Sequence, residues 1–242
     1  MGHAAANLVA RLEDHEASPT RDEVISRYRR MRAISRAHTS AATDRLPRDA
    51  ILRQARRLGL AHGRTFVVDD FADLVYALDL TVYTTAPDRL SGIERYSRSA
   101  KVAAGSDEAL VLQAMRSARF SILQIEGRGP VAGLIAKDAV RDADLWLMDE
   151  GMEASLPAGA VIATRIYQVG YFWMTAGVFV MLEPEILAEA IASVPCLARR
   201  TPAEAIDDRR FAEAIYRAAL LDGATSRARY QDVPDEVSRP GV

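Results

Sequence analysis

The chain has 242 residues and a mass of 26.5 kDa, and its 49% hydrophobic and 26% charged residues exclude wholesale disorder and allow a sizeable core. The formal net charge is only −2, and no apolar run approaches the roughly 18 residues that a membrane span needs. The single cysteine, Cys196, excludes an internal disulfide framework and a multi-cysteine zinc site.

The opening residues carry acids and no basic segment followed by an apolar stretch, so no secretory leader is expected and the predicted location is cytoplasmic. Residues 20–64 then hold twelve arginines against four acids, a local charge of +8 that leaves −10 for the rest. Such a segment can attract phosphate or an acidic partner, or it can pack against the protein's own acids. Thr20 and Glu23 have the capping-box spacing, and Val24, Ile25, Tyr28, Met31 and Ile34 follow at helical spacing, so a helix is predicted to run to residues 38–40. On it Arg29, Arg32 and Arg36 share one face. Pro47 starts a second helix with the stripe Ile51, Leu52, Ala55 and Leu58, and Gly59 stops it. Residues 65–68 are β-branched or aromatic and read as extended. Asp69 or Asp70 caps a third helix through Leu78, residues 91–97 form a short one, and Ser106 caps another with Leu110, Val111, Ala114, Met115 and Ala118 buried.

At residue 120 the apolar period changes. Residues 120–126, 131–136, 144–148, 160–169 and 171–182 read as five strands separated by Gly-, Pro- and Asp-containing turns, which predicts an antiparallel meander that closes or nearly closes. Trp146 and Trp173 are expected to anchor helices to this sheet, with Trp173 largely inaccessible. Helices return at Glu183-Pro184 and at Thr201-Pro202-Ala203-Glu204, the latter ending at Gly223, and the polar tail 224–242 is expected to be loose.

The motifs that usually carry chemistry fail their tests. Arg56-Arg57-Leu58-Gly59-Leu60-Ala61 resembles the turn of a helix-turn-helix, but the next residues prefer strands where a recognition helix should begin. Gly127-Arg128-Gly129-Pro130 lacks the spacing and the Lys-Ser/Thr of a phosphate loop and reads as a hairpin turn. His3, His15, His38 and His62 have no metal-like spacing and read as surface residues, and Cys196 reads as a small buried apolar residue. The polar residues at strand edges stand out: Arg119, Asp138, Asp149, Glu150 and Arg165. Arg165 lies mid-strand among apolar neighbours and needs a carboxylate, with Asp149 or Asp138 expected. Such a pair either ties the sheet to the helices or forms a site for an anion or acidic peptide. Tyr167, Tyr171, Phe172, Trp173 and Phe179 either fill core or offer a stacking platform.

Six stretches carry a resemblance: Ala55-Arg56-Arg57-Leu58-Gly59-Leu60, Leu78-Asp79-Leu80-Thr81-Val82-Tyr83, Glu94-Arg95-Tyr96, Ala118-Arg119-Phe120-Ser121, Leu147-Met148-Asp149-Glu150-Gly151 and Ala163-Thr164-Arg165. They are similar to a type of uncharacterised bacterial protein that joins a helical N-terminal part to a small β-region, and the similarity spans residues 46–182. The resemblance implies a bacterial origin and an α+β fold, and it transfers no activity and no site. A cysteine-rich zinc-binding tail found in some relatives does not carry over to a chain with one cysteine.

The expected fold is therefore α+β. Residues 1–119 form helices, 120–182 a five-stranded antiparallel barrel-like sheet, and 183–242 C-terminal helices packed on it plus the loose tail. The expected function is a non-enzymatic binding or regulatory protein that uses the β-region as its interaction module, with Arg119, Asp138, Asp149 and Arg165 as candidates for contact with a protein or acidic ligand. One alternative is nucleic-acid binding through segment 20–64, led by Arg29, Arg32 and Arg36. The other is an enzyme that uses Asp138, Asp149 and Arg165. No catalytic residue, metal ligand, cofactor or membrane contact is assigned.

Overall fold

The computed structural model describes residues 19–68, 70–85 and 89–223. The expected loose tail, His3, His15 and the Asp69 cap lie outside them. Helix α1 (Arg21–Asp44) opens with the capping box: the Thr20 hydroxyl accepts from the Glu23 N–H, and the Glu23 carboxylate accepts from the Thr20 N–H at 2.8 Å. It outruns its expected end because Ser35, His38 and Ala42 continue the buried stripe of Val24, Tyr28 and Met31. Helix α2 (Arg48–Leu58) stops at Gly59, whose φ of 81° is the left-handed cap that glycine adopts without strain. A two-residue hairpin follows, β1 (Ala61–His62) and β2 (Thr65–Phe66), then a 3-10 turn at Phe71–Asp73 and α3 (Leu74–Tyr83). Helices α4 (Gly92–Ser97) and α5 (Asp107–Arg116) start at the Ser91 and Ser106 caps. On α5 the buried positions are Val111, Leu112, Ala114 and Met115, while Leu110, expected inside, faces solvent.

Five strands close into a barrel: β3 (Arg119–Arg128), β4 (Leu134–Asp138), β5 (Ala143–Leu147), β6 (Val161–Val169) and β7 (Phe172–Met181), in the order β3-β4-β5-β7-β6. The strand orientation is mixed rather than purely antiparallel. β5 and β7 run parallel, with Leu147 opposite Trp173 and the Met148 N–H donating to the Trp173 carbonyl at 2.8 Å. The cause is a helix read from sequence as a turn, α6 (Glu150–Ser155), which carries the chain across one barrel end. β6 therefore pairs with β3, and β7 returns to fill the gap beside β5. Helix α7 (Pro184–Ser193) follows, and the single C-terminal helix expected after Thr201 is two, α8 (Pro202–Ile206) and α9 (Arg209–Asp222), because Asp208 restarts the helix as a new cap.

Strand alternation divides the apolar residues into three clusters. Leu123, Ile125, Leu134, Ala136, Leu145, Leu147, Ile162 and Ile166 fill the barrel, and Met152 of α6 and its C-cap residue Leu156 plug one end. Tyr76, Phe120, Ala163, Ile206, Ile215 and Tyr216 join one outer wall to α3, α8 and α9. Tyr28, Met31, Met115, Trp146, Tyr167 and Phe172 join the other wall to α1 and α5. The turn between β3 and β4 needs glycine at 133: a Cβ there would lie 2.5 Å from the Leu147 carbonyl oxygen, and φ is +71°. Among the aromatics, Tyr167 and Phe172 are core, Trp173 is half-buried and Tyr171 is exposed beside Trp146.

Two outcomes follow. Trp146 is only 1% exposed and its Nε1–H donates to the Ala132 carbonyl at 2.7 Å, so Trp146→Ala costs about 3–5 kcal/mol in a urea melt while Trp173→Ala costs less. Asp208 accepts side-chain hydrogen bonds from Arg210, which overcome the opposing effect of burial and hold its carboxyl at about 2 against an ordinary 3.8. A carboxylate lowered by folding stabilises the fold above its unfolded value, and that contribution fades as pH falls toward 2. Asp208→Asn should thus lower the urea midpoint near neutral pH, and the gap from wild type should narrow progressively below pH 3.8.

Candidate functional site

Arg165 projects from the outer wall of β6 and is 6% exposed. Its partner is Asp79, on α3, and not Asp149 or Asp138 as expected. Nε donates to the two Asp79 oxygens at 3.1 and 3.2 Å, and Nη2 donates to Oδ2 at 3.1 Å. The Tyr216 hydroxyl of α9 donates to the same carboxylate at 3.0 Å. The guanidinium lies 5.2 Å from the Tyr83 ring centre and 5.7 Å from that of Phe120. Burial works against the charge on Arg165, but Asp79 and the neighbouring tyrosines outweigh it and hold the guanidinium above its ordinary pKa. Burial first, then the Asp79 charge, push the Tyr216 hydroxyl well up, so it stays a proton donor. Asp79, Arg165 and Tyr216 are all buried, and the Arg165 Nη2 also lies 3.4 Å from the Thr84 hydroxyl.

Asp149 sits elsewhere, as the N-cap of α6. Oδ1 accepts from the Met152 N–H at 3.1 Å and Oδ2 accepts from the Thr175 hydroxyl at 3.1 Å. Arg32 reaches both neighbours: Nη1 donates to the Thr175 carbonyl at 2.6 Å, and Nη2 lies 3.8 Å from Asp149. The same face of α1 meets further acids. Arg29 makes a forked contact with Glu150, at 3.0 Å from Nε and 2.7 Å from Nη2, and Arg21 donates to Glu153 at 2.8 Å. Glu153 in turn accepts from the Gly133 N–H at 2.9 Å, and Arg30 pairs with Asp107 at 2.8 Å. Arg36 is exposed. The basic helix is thus neutralised along much of its length by acids of α5 and α6.

Asp138 and Arg119 do come together, at the barrel end where β3 begins and β4 ends. Asp138 is fully buried and accepts from the Ser121 hydroxyl, the Arg141 guanidinium and the N–H groups of Val140 and Arg141, all at 3.1–3.2 Å. Arg119 adds only a 3.4 Å contact from Nη2. Its side chain is 32% exposed, and its guanidinium stands 4.6 Å from the ring centre of half-buried Trp173. Its Nε is buried and has no hydrogen-bond partner among the described residues. Burial, then repulsion from Arg141, lower the Arg119 pKa against the opposing pull of Asp138 and Asp207. Arg141 itself is committed to Asp138 and to Asp207.

The candidates therefore fall into three networks. Sequence reading missed Asp79 and Tyr216, which are 86 and 51 residues from Arg165 and carry no local signature beyond a lone acid and tyrosine in apolar stripes. His38, expected at the surface, is buried: Nε2–H donates to the Glu108 carbonyl and Nδ1 shares a hydrogen bond with the Tyr96 hydroxyl, both at 2.9 Å. Cys196 is only partly buried. Among the described residues no group of three or more His, Cys, Asp or Glu side chains is placed to hold a metal ion, and no helix is long and apolar enough to cross a membrane.

A family model described as a family of unknown function, DUF7986, matches residues 22–228. No curated protein and no solved structure matches the chain.

Removing Asp79 leaves a guanidinium buried without its counter-ion. Asp79→Ala should lower stability by about 3–5 kcal/mol in urea melts. The combined change Asp79→Leu with Arg165→Met removes both charges and should cost clearly less than Asp79→Ala alone, which a double-mutant cycle will read directly.

Proposed function

Because this chain belongs to the DUF7986 family, whose function is unknown, its role is read from its own geometry, and we propose that it is a cytoplasmic, non-enzymatic binding protein that takes an acidic peptide segment of a partner at the barrel end bordered by Arg119 and Trp173. The observation that carries this reading is the state of Arg119. Its charge is undercompensated, its one ion pair is long, and its exposed face lies beside Trp173. A carboxylate arriving there would relieve the repulsion from Arg141 and gain a charge-assisted hydrogen bond. Trp173 supplies an apolar platform for the carbon chain of a glutamate or aspartate. Arg165, Asp138 and Asp149 support the site from within: they hold the strands and α6 in place through the bonds described above.

The test is a fluorescence titration with a glutamate-rich peptide. Trp146 is buried and Trp173 is not, so a saturable change in tryptophan emission reports on the barrel end. Arg119→Gln should abolish the response and leave the fold intact, because Asp138 keeps its other donors. An unchanged titration in Arg119→Gln, or no response of the wild type up to millimolar peptide, refutes the site.

A further inference from the structure

The arginine-rich segment divides in two when its partners are traced. On α1, four of the six arginines, Arg21, Arg29, Arg30 and Arg32, are each matched to an acid. Of Arg53, Arg56, Arg57 and Arg64 on α2 and the hairpin, only Arg57 is. Residues 48–68 contain five arginines and one acid, Asp49, outside position 69. Arg53, Arg56 and Arg57 are exposed and spaced i, i+3, i+4, so they occupy one face of α2. Arg57 shares Glu213 at 3.2 Å, whereas Arg53 and Arg56 make no ion pair with a described residue. The opposite face of the helix is anchored: Leu52, Ala55 and Leu58 are buried in the core.

The hairpin adds a second prong. Its tip is the tight turn His62-Gly63-Arg64-Thr65, with Gly63 at φ 59° and the side chains of His62 and Arg64 exposed. Arg64 likewise makes no ion pair with a described residue. The hairpin is not a loose flap, since the Leu60 N–H donates to the Ala55 carbonyl at 2.8 Å and the Val67 N–H donates back to the Leu60 carbonyl at 2.9 Å. The tip is therefore held in a set relation to the end of α2.

From this geometry we infer that the α2 face and the β1–β2 tip together form a docking surface for the phosphate backbone of duplex DNA. Arginine forks match phosphate oxygens, and a helix face plus a hairpin tip offers several such forks from a rigid base. The proposed contacts are to phosphates and carry no sequence information, and the one amide of α2 that could read an adenine edge, Gln54, is half-buried. The surface lacks the row of aromatic side chains on which successive bases of a single strand stack, since the exposed Phe66 is its one Phe, Tyr or Trp. Phe66 and Val67 are exposed apolar side chains beside the hairpin, but the apolar stripe of α2 that an interfacial helix would lay into a lipid surface is buried.

The experiment is fluorescence anisotropy with a labelled DNA duplex of random sequence at several salt concentrations. With three to four phosphate contacts, log affinity should fall against log salt with a slope of about −3, so a fourfold rise in salt weakens binding roughly 60-fold. The combined variant Arg53→Ala, Arg56→Ala and Arg64→Ala should lose binding at least tenfold with an unchanged circular-dichroism spectrum. Arg29→Ala with Arg36→Ala, and separately Arg119→Gln, should bind DNA as the wild type does, which keeps this surface distinct from the barrel end. The inference is overturned by no binding at low salt, by full binding in the triple variant, by loss confined to the α1 variant, or by tighter binding to single strands or anionic vesicles than to duplex.

Discussion

A guanidinium buried on the outside of a barrel must be answered by whatever packs over it, and in this protein that requirement joins three elements that are far apart in the chain. Arg165 on β6, Asp79 on α3 and Tyr216 on α9 meet within hydrogen-bond distance, under a cover of Tyr83 and Phe120. A buried pair of this kind adds little net stability compared with apolar residues of equal volume. Its hydrogen bonds are directional and tie α3 and α9 to one position on the barrel wall. The surrounding apolar side chains supply the driving force for that docking.

The second wall is organised by charge at its rim rather than in its core. Helix α1 buries an apolar stripe against the strands and lays arginines across α5 and α6. Exposed pairs of this type contribute at most about 1 kcal/mol each. Their larger effect is on the field of the molecule. They offset the charge of four of the six α1 arginines, and Arg53, Arg56 and Arg64 on α2 and the hairpin have no such partner among the described residues. Arg119, beside Arg141 at the barrel end, is a second place where positive charge is not fully answered.

Barrel closure depends on α6 and on a close approach. Asp149 starts the helix, and Met152 and Leu156 seal the barrel interior that the strands leave open. Glu153 then reaches back to the Gly133 amide, in a turn that has no room for a Cβ. With Met152 and Leu156 packed against the apolar side chains of the strands, the barrel interior is filled.

The helix starts were legible in short spans of sequence. Thr20 with Glu23, Ser106, and Thr201 with Glu204 act within one turn, and Gly59 and Gly223 stop helices by a local backbone preference. The five strands were legible from their period and turns, and the half-buried need of Arg165 for an acid followed from its neighbours alone. The order of the strands, the parallel β5–β7 pair and the identity of the acid were not. Arg165 finds Asp79 across 86 residues, and Arg29 finds Glu150 across 121. Spacing carries no information about such partners, because they are chosen by which faces are buried together once the barrel has closed. Capping and periodicity are energies of neighbouring residues and can be read in line; closure, register and charge pairing are energies of the assembled surfaces, and only the folded chain brings those surfaces into contact.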